Sequence, residues 1–224
     1  MGIKERQERD RENVHRAILD AARELFVIEG FHNVSIRKIA ERIEYSPAAI
    51  YSYFPSKDDI FFALAEEGFR LLCDRGAAAR DAEGPSLDRV RGIFRRLYEF
   101  SRDHRQYFAL MFVDRSVPRI SREYQRFAFA REMKGNIVRE IASCVEAGLL
   151  PRSIDPAVAM RVLMVGVVGV AVLSERLAPG EDADQLAADM LNVTIAGLQS
   201  GVVLQTAASV GCPMEEEIVD AHAS

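Results

Sequence analysis

Apolar positions recur at helical spacing along almost the whole chain, and no clear alternating strand run flanked by turn residues stands out. Residues 1–12 read as a charged arm. From Asn13 the stripe Val14, Ile18, Ala21, Ala22, Leu25 and Phe26 predicts an amphipathic helix, ended by Gly30 with Phe31 folding back on its last turn. Ser35 is placed to cap a second helix whose Ile36, Ile39, Ala40 and Ile43 face inward. Ser46-Pro47 opens a third, which Pro55 stops. Ser56, with Asp59 three residues on, makes a variant capping box for a fourth helix running to about Arg80. Gly84-Pro85 marks a turn, and further helices are predicted at about 87–102, 105–113, 121–147, 156–177 and 184–200. Their breaks are Val117-Pro118, Gly148 with Pro151, Asp155-Pro156 and Pro179-Gly180.

The predicted fold class is therefore all-α, about nine helices: a three-helix N-terminal unit joined by the fourth helix to a helical bundle. The expected division is 1–58 for the first domain, 59–203 for the second and 204–224 for a disordered tail, where periodicity is lost.

Composition changes this picture little. The chain has 224 residues, 49% of them hydrophobic, enough for a sizeable core. A net charge of -5 argues against non-specific coating of nucleic acid, although His32 to Lys57 is locally basic. Cys73, Cys144 and Cys212 are too scattered for a disulfide framework or a zinc site, which fits a reducing cytoplasm. The charged N-terminus is unlike a signal peptide. The longest apolar run, Val162 to Leu173, falls short of the roughly 20 residues a bilayer needs. No membrane partner is expected.

The stretch from Ser35 to Lys57 has the form of a helix-turn-helix, whose second helix lies in the DNA major groove. Small residues at Ala48 and Ala49 let that helix approach base edges, and tyrosine hydroxyls reach phosphates. The segments AILDAARELFVIEGF, SIRKIAERI, SPAAIYSYF and SKDDIF resemble the N-terminal domain of the TetR family of bacterial transcriptional regulators. The resemblance covers about residues 14–62. It implies DNA contacts at Ser35, Arg37, Ser46, Ala48, Ala49, Tyr51, Tyr53 and Lys57. Each also has a plainer role: Ser46 as a cap, Arg37 on a solvated face, Tyr51 packed on the first helix. The sequence departs from the family at Glu44, where glycine is frequent in the turn and accommodates positive φ. The alternating charges of Lys4 to Glu12 suit a disordered mixed-charge arm.

Beyond about residue 84 the resemblance implies a small-molecule and dimerisation domain. Phe94, Tyr98, Phe108, Met111, Phe112, Phe127, Met133, Met160 and Met164 are candidates to line an apolar cavity, or else ordinary core. His104, Arg131, Asn136 and Arg161 are candidate polar handles. Gly166, Gly169, Leu186, Met190 and Val193 lie on two helices rich in small residues. They suit a four-helix interface in a homodimer, or packing within one subunit.

The expected function is a cytoplasmic DNA-binding regulator, a repressor released from a palindromic operator by a small, largely apolar effector. The alternative is a helical ligand-binding adaptor of the same fold without DNA binding. Nothing in the chain has the order of a catalytic triad, a nucleotide-binding glycine loop or metal-ligand spacing. No enzyme activity, cofactor or metal is expected.

Overall fold

The computed structural model describes residues 2–76, 84–114, 128–174, 177 and 182–201. Every regular element among them is helical. The helices are α1 (Ile3–Glu29), α2 (Ile36–Arg42), α3 (Pro47–Tyr51), α4 (Lys57–Gly76), α5 (Leu87–Asp103), α6 (Arg105–Phe108), α7 (Ala128–Glu146), α8 (Pro156–Leu173) and α9 (Ala183–Gln199). The expected breaks at Val117-Pro118 and Pro179-Gly180, the start of the 121–147 helix, Phe127, Cys212 and the 204–224 tail lie outside the described residues.

Capping decides most boundaries. Ser35 Oγ accepts from Lys38 N, and Ser46 Oγ accepts from Ala49 N, each at 3.2 Å. Ser56 Oγ accepts from Asp59 N and donates to its carboxylate, closing the variant box. Asp155 caps α8 through the N–H groups of Ala157 and Val158. Gly30 ends α1 at φ 80°, and Phe31 turns back to lie 5.1 Å from the Phe26 ring.

Two expectations are corrected. The charged arm is helical: α1 begins at Ile3, ten residues before Asn13. Lys, Arg, Glu and Gln are good helix formers, and Glu5 with Arg9 has the favourable i,i+4 order, so mixed charge supports a solvated helix rather than disorder. The 105–113 segment is not one regular helix. After α6 it widens into a π turn, Ala109–Val113, where Asp114 N bonds Ala109 O.

The core is continuous from head to bundle. In the head, Ile18, Phe26, Phe31, Ile39, Ile50 and Phe61 are almost fully buried, and the Phe31 and Phe61 rings meet edge to face at 5.4 Å. Each such side chain contributes about 1.5–3 kcal/mol of burial. α4 packs on α1 at its head end and on α5, α6 and α7 further along. α8 is long and apolar enough to cross a membrane by composition, with a mean hydropathy of 2.2. It nevertheless packs against α5, α7 and α9 as a bundle helix.

Candidate nucleic-acid interface

α2 and α3 pack through Ile36, Ile39, Ala40 and Ile50, which leaves the opposite side of α3 in solvent. Ala48, Tyr51 and Ser52, at i, i+3 and i+4, share that outer face, and Tyr51 is 54% exposed. Ala49 is half-buried beside it. Ser35 and Ser46 sit at the helix starts, exposed and engaged as caps. Arg37 is exposed and pairs with Glu41 at 2.9 Å. Such a solvent-exposed pair contributes little and exchanges readily for another anion. Tyr45, one of the tyrosines beside this helix, is 45% exposed just before α3, and Ser52, which the sequence did not single out, completes the outer face at helical spacing.

Two expected contacts face inward instead. Lys57 Nζ donates to the carbonyls of Phe31 at 2.6 Å and Val34 at 2.8 Å, and lies 4.1 Å from the Phe31 ring centroid. It ties the α1–α2 connection to the start of α4, and desolvation lowers its pKa. Tyr53 is half-buried, with the Arg11 guanidinium over its ring at 6.0 Å.

The turn has its own geometry. Tyr45 N bonds Ala40 O at 2.9 Å and Glu44 N bonds Glu41 O at 3.3 Å, a Schellman ending to α2. Glu44 occupies the left-handed position at φ 60°, where glycine is favoured. The turn therefore adopts positive φ despite the side chain.

In the bundle a cavity of about 360 Å³ lies between α4, α5, α7 and α8. Phe94, Met133 and Met164 line it, as expected of them, and so does Asn136. Tyr98, Phe108, Met111, Phe112 and Met160 do not. Tyr98 donates to Asp184 on α9 at 3.0 Å. Phe108, Met111 and Phe112 pack around α6 and the π turn, with the Phe112 and Phe69 rings 6.1 Å apart, and Met160 is core. Of the other polar handles, Arg131 and Arg161 are exposed, and His104 lies against Phe100 and Tyr107. The wall residues missed in sequence include Arg89, Ile93, Arg96, Leu97, Ile137 and Arg139. Arg89 pairs with Glu140 at 2.7 Å.

The expected dimer residues divide. Gly166 lies under Met190: a Cβ there would stand 2.5 Å from the Met190 sulfur, so these two join α8 to α9 within the chain. Gly169 faces open space, while Leu186 is 40% and Val193 73% exposed. Val165 and Leu173 on α8 are also exposed.

A helix-turn-helix head with a bare recognition helix, carried on a helical bundle that holds a partly open cavity, defines a class of DNA-binding protein. Residues 18–64 match the family model described as bacterial regulatory proteins, tetR family, so the match covers the helix-turn-helix head. An HTH-type transcriptional repressor of Mycobacterium tuberculosis is 39% identical over 69 residues, 31% of this chain and 35% of that protein. The nucleoid occlusion factor SlmA of Mannheimia succiniciproducens is 32% identical over 74 residues, 33% of this chain and 34% of that protein. The chain thus aligns with about a third of the length of these curated relatives. The whole fold is similar to PfmR, a TetR-family transcriptional regulator of Thermus thermophilus. The TM-score is 0.64 at 21% identity, over 81% of this chain and 98% of that one.

Proposed function

We propose that the protein is a cytoplasmic transcriptional repressor that binds a palindromic operator as a homodimer and leaves it when an effector fills the bundle cavity. The observation that carries this reading is the exposed α3 face of Ala48, Tyr51 and Ser52, set on two serine-capped helices. Among the described residues nothing covers it, and Ala48 with the α3 start can approach base edges and phosphates closely. Ser35 and Arg37 flank it from α2.

Two heads are needed to read two half-sites. The exposed apolar residues Val165 and Leu173 on α8, with Leu186 and Val193 on α9, supply a face for a second copy. α4 supplies the lever. It begins at Lys57, tied into the head, and its Leu72 and Cys73 line the cavity wall. An effector that prefers one tilt of α4 over another shifts head spacing by its differential affinity for the two states.

The test is fluorescence anisotropy of the full chain on duplex DNA from upstream of its own gene. Binding should weaken steeply with salt, and Tyr51→Ala should weaken it further. A full chain that binds no such duplex at low salt leaves only the adaptor reading.

A further inference from the structure

The cavity walls carry a repeated sequence feature. On α5 Gly92 precedes Arg96 by four residues, and on α7 Gly135 precedes Arg139 by four. In each pair the guanidinium folds back over the glycine: a Cβ at Gly92 would lie 3.4 Å from Arg96 Nη1, and one at Gly135 3.4 Å from Arg139 Nη1. Each arginine thus lies back along its helix at the cavity wall, in ordinary contact with the glycine position.

The charges there do not cancel. Arg89, Arg96 and Arg139 line the cavity against Glu140 alone, three positive charges to one negative. Arg89 and Glu140 satisfy each other. Arg139 donates to the neutral amide oxygen of Asn136. Arg96 has no hydrogen-bond partner among the described residues, and burial lowers its pKa. The Glu99 carboxylate acts on Arg96 only at a distance, without a hydrogen bond; a half-buried guanidinium so placed bears a desolvation cost that an anion in the cavity would offset. The rest of the lining is apolar, with Phe94, Leu97, Met133, Ile137 and Met164.

Resting on the reading of this cavity as the effector site, we propose that it takes an amphipathic anion. The head group, carboxylate or phosphate, sits against Arg96 and Arg139, and an apolar body lies against Phe94, Met133 and Met164. Planar guanidinium groups suit both head groups through paired N–H donors. A volume of about 360 Å³ is at the small end of ligand sites, about 300–1,000 Å³, which favours a compact body. This replaces the largely apolar effector with a charged one.

Isothermal titration of the full chain tests this without DNA. The ligands are butanoate, octanoate, dodecanoate, octyl phosphate, octanol and inorganic phosphate. An octyl anion should bind at least about tenfold tighter than octanol, and inorganic phosphate should bind more weakly than octyl phosphate. The preferred head group separates a free acid from a phosphate ester. Arg96→Gln and Arg139→Gln should each lose about tenfold for the anion and leave octanol unchanged, with circular dichroism confirming the fold. Octanol binding as tightly as octanoate and octyl phosphate, or no anion of the series binding, overturns the proposal. An anion that binds through Arg96 yet leaves operator affinity unchanged supports it and overturns the repressor switch. Operator release by octanol alone does the reverse.

Discussion

Arg23 on α1 donates from Nη1 to the hydroxyl of Tyr107 on α6 across 2.9 Å, and its guanidinium lies 5.2 Å from the same ring's centroid. Arg23 Nε also donates to Gln106 at 3.0 Å, and Arg16 of α1 reaches Glu67 of α4 at 2.5 Å. Tyr107 is buried, and burial together with the nearby Glu67 carboxylate raises the pKa of its hydroxyl. Three helices, one from the head and two from the bundle, therefore meet in one polar junction.

Tyr107→Phe separates the two parts of this contact. The ring face remains for the guanidinium, while Arg23 loses a hydrogen bond in a half-buried setting. The expected loss is about 1–2 kcal/mol in urea unfolding. In the repressor reading it also loosens α1 from α6, so effector titrations should release less DNA than in the parent protein.

Glu67 gives the junction a pH dependence. Burial alone would raise its carboxyl, but the hydrogen bond from Arg16 and the nearby Tyr107 hydroxyl, with the charges of Arg16 and Arg23, together hold its pKa below the ordinary value. A carboxylate depressed in the folded state adds stability above its unfolded pKa, about 4.3, and loses it as pH falls through the folded value. Melting temperatures of the parent protein should fall more steeply than those of Glu67→Gln from roughly pH 5 downward. Parallel curves would mean that Glu67 is not the group responsible.

Glu44 holds a left-handed conformation at φ 60° within a hydrogen-bonded Schellman turn. That conformation costs a non-glycine residue about 1–2 kcal/mol, and a glycine there adds about 0.4–1 kcal/mol of unfolded-chain freedom. Glu44→Gly should therefore gain roughly 0.5–1 kcal/mol in chemical denaturation. Because Glu44 is an anion one residue before Tyr45 and close to α3, its removal should also tighten operator binding.

Lys57 is expected to act from inside the head. Its two charge-assisted bonds to Phe31 O and Val34 O are each at or below 2.8 Å. Lys57→Met should cost about 2 kcal/mol of stability. A phosphate contact would instead show as a salt-dependence slope reduced by about 0.9. An unchanged slope with a lowered melting temperature is the expected result.

The head was legible in sequence because its signals are local. Ser35, Ser46, Ser56 and Gly30 each act within a few residues, so reading them in order yields the helix boundaries. The cavity was not legible in the same way. Phe94 and Phe108 look alike on an apolar stripe, and only the packing of α4, α5, α7 and α8 puts one beside a void and the other in core. Gly166 and Met190 looked like interface residues because small residues permit close approach, but the close approach is between α8 and α9 of one chain. The signal that was available and overlooked is the glycine-to-arginine spacing shared by Gly92–Arg96 and Gly135–Arg139.

Three helical glycines separate close packing from open surface. A Cβ at Gly68 would stand 2.4 Å from the Met111 sulfur and 3.2 Å from the Tyr107 ring, which Arg23 holds in place. The overpacking cost of about 1–3 kcal/mol exceeds the gain of about 1 kcal/mol from removing a helical glycine, so Gly68→Ala should destabilise. At Gly166 the near atoms all belong to the flexible Met190 thioether, so the two effects should nearly cancel. At Gly169 nothing stands within 4 Å, and alanine should stabilise the subunit by up to about 1 kcal/mol. Urea unfolding at low protein concentration should rank the variants Gly169→Ala, Gly166→Ala, Gly68→Ala from most to least stable. If a second copy covers α8 in solution, the advantage of Gly169→Ala should shrink or reverse as concentration rises, because the added methyl then meets the partner helix.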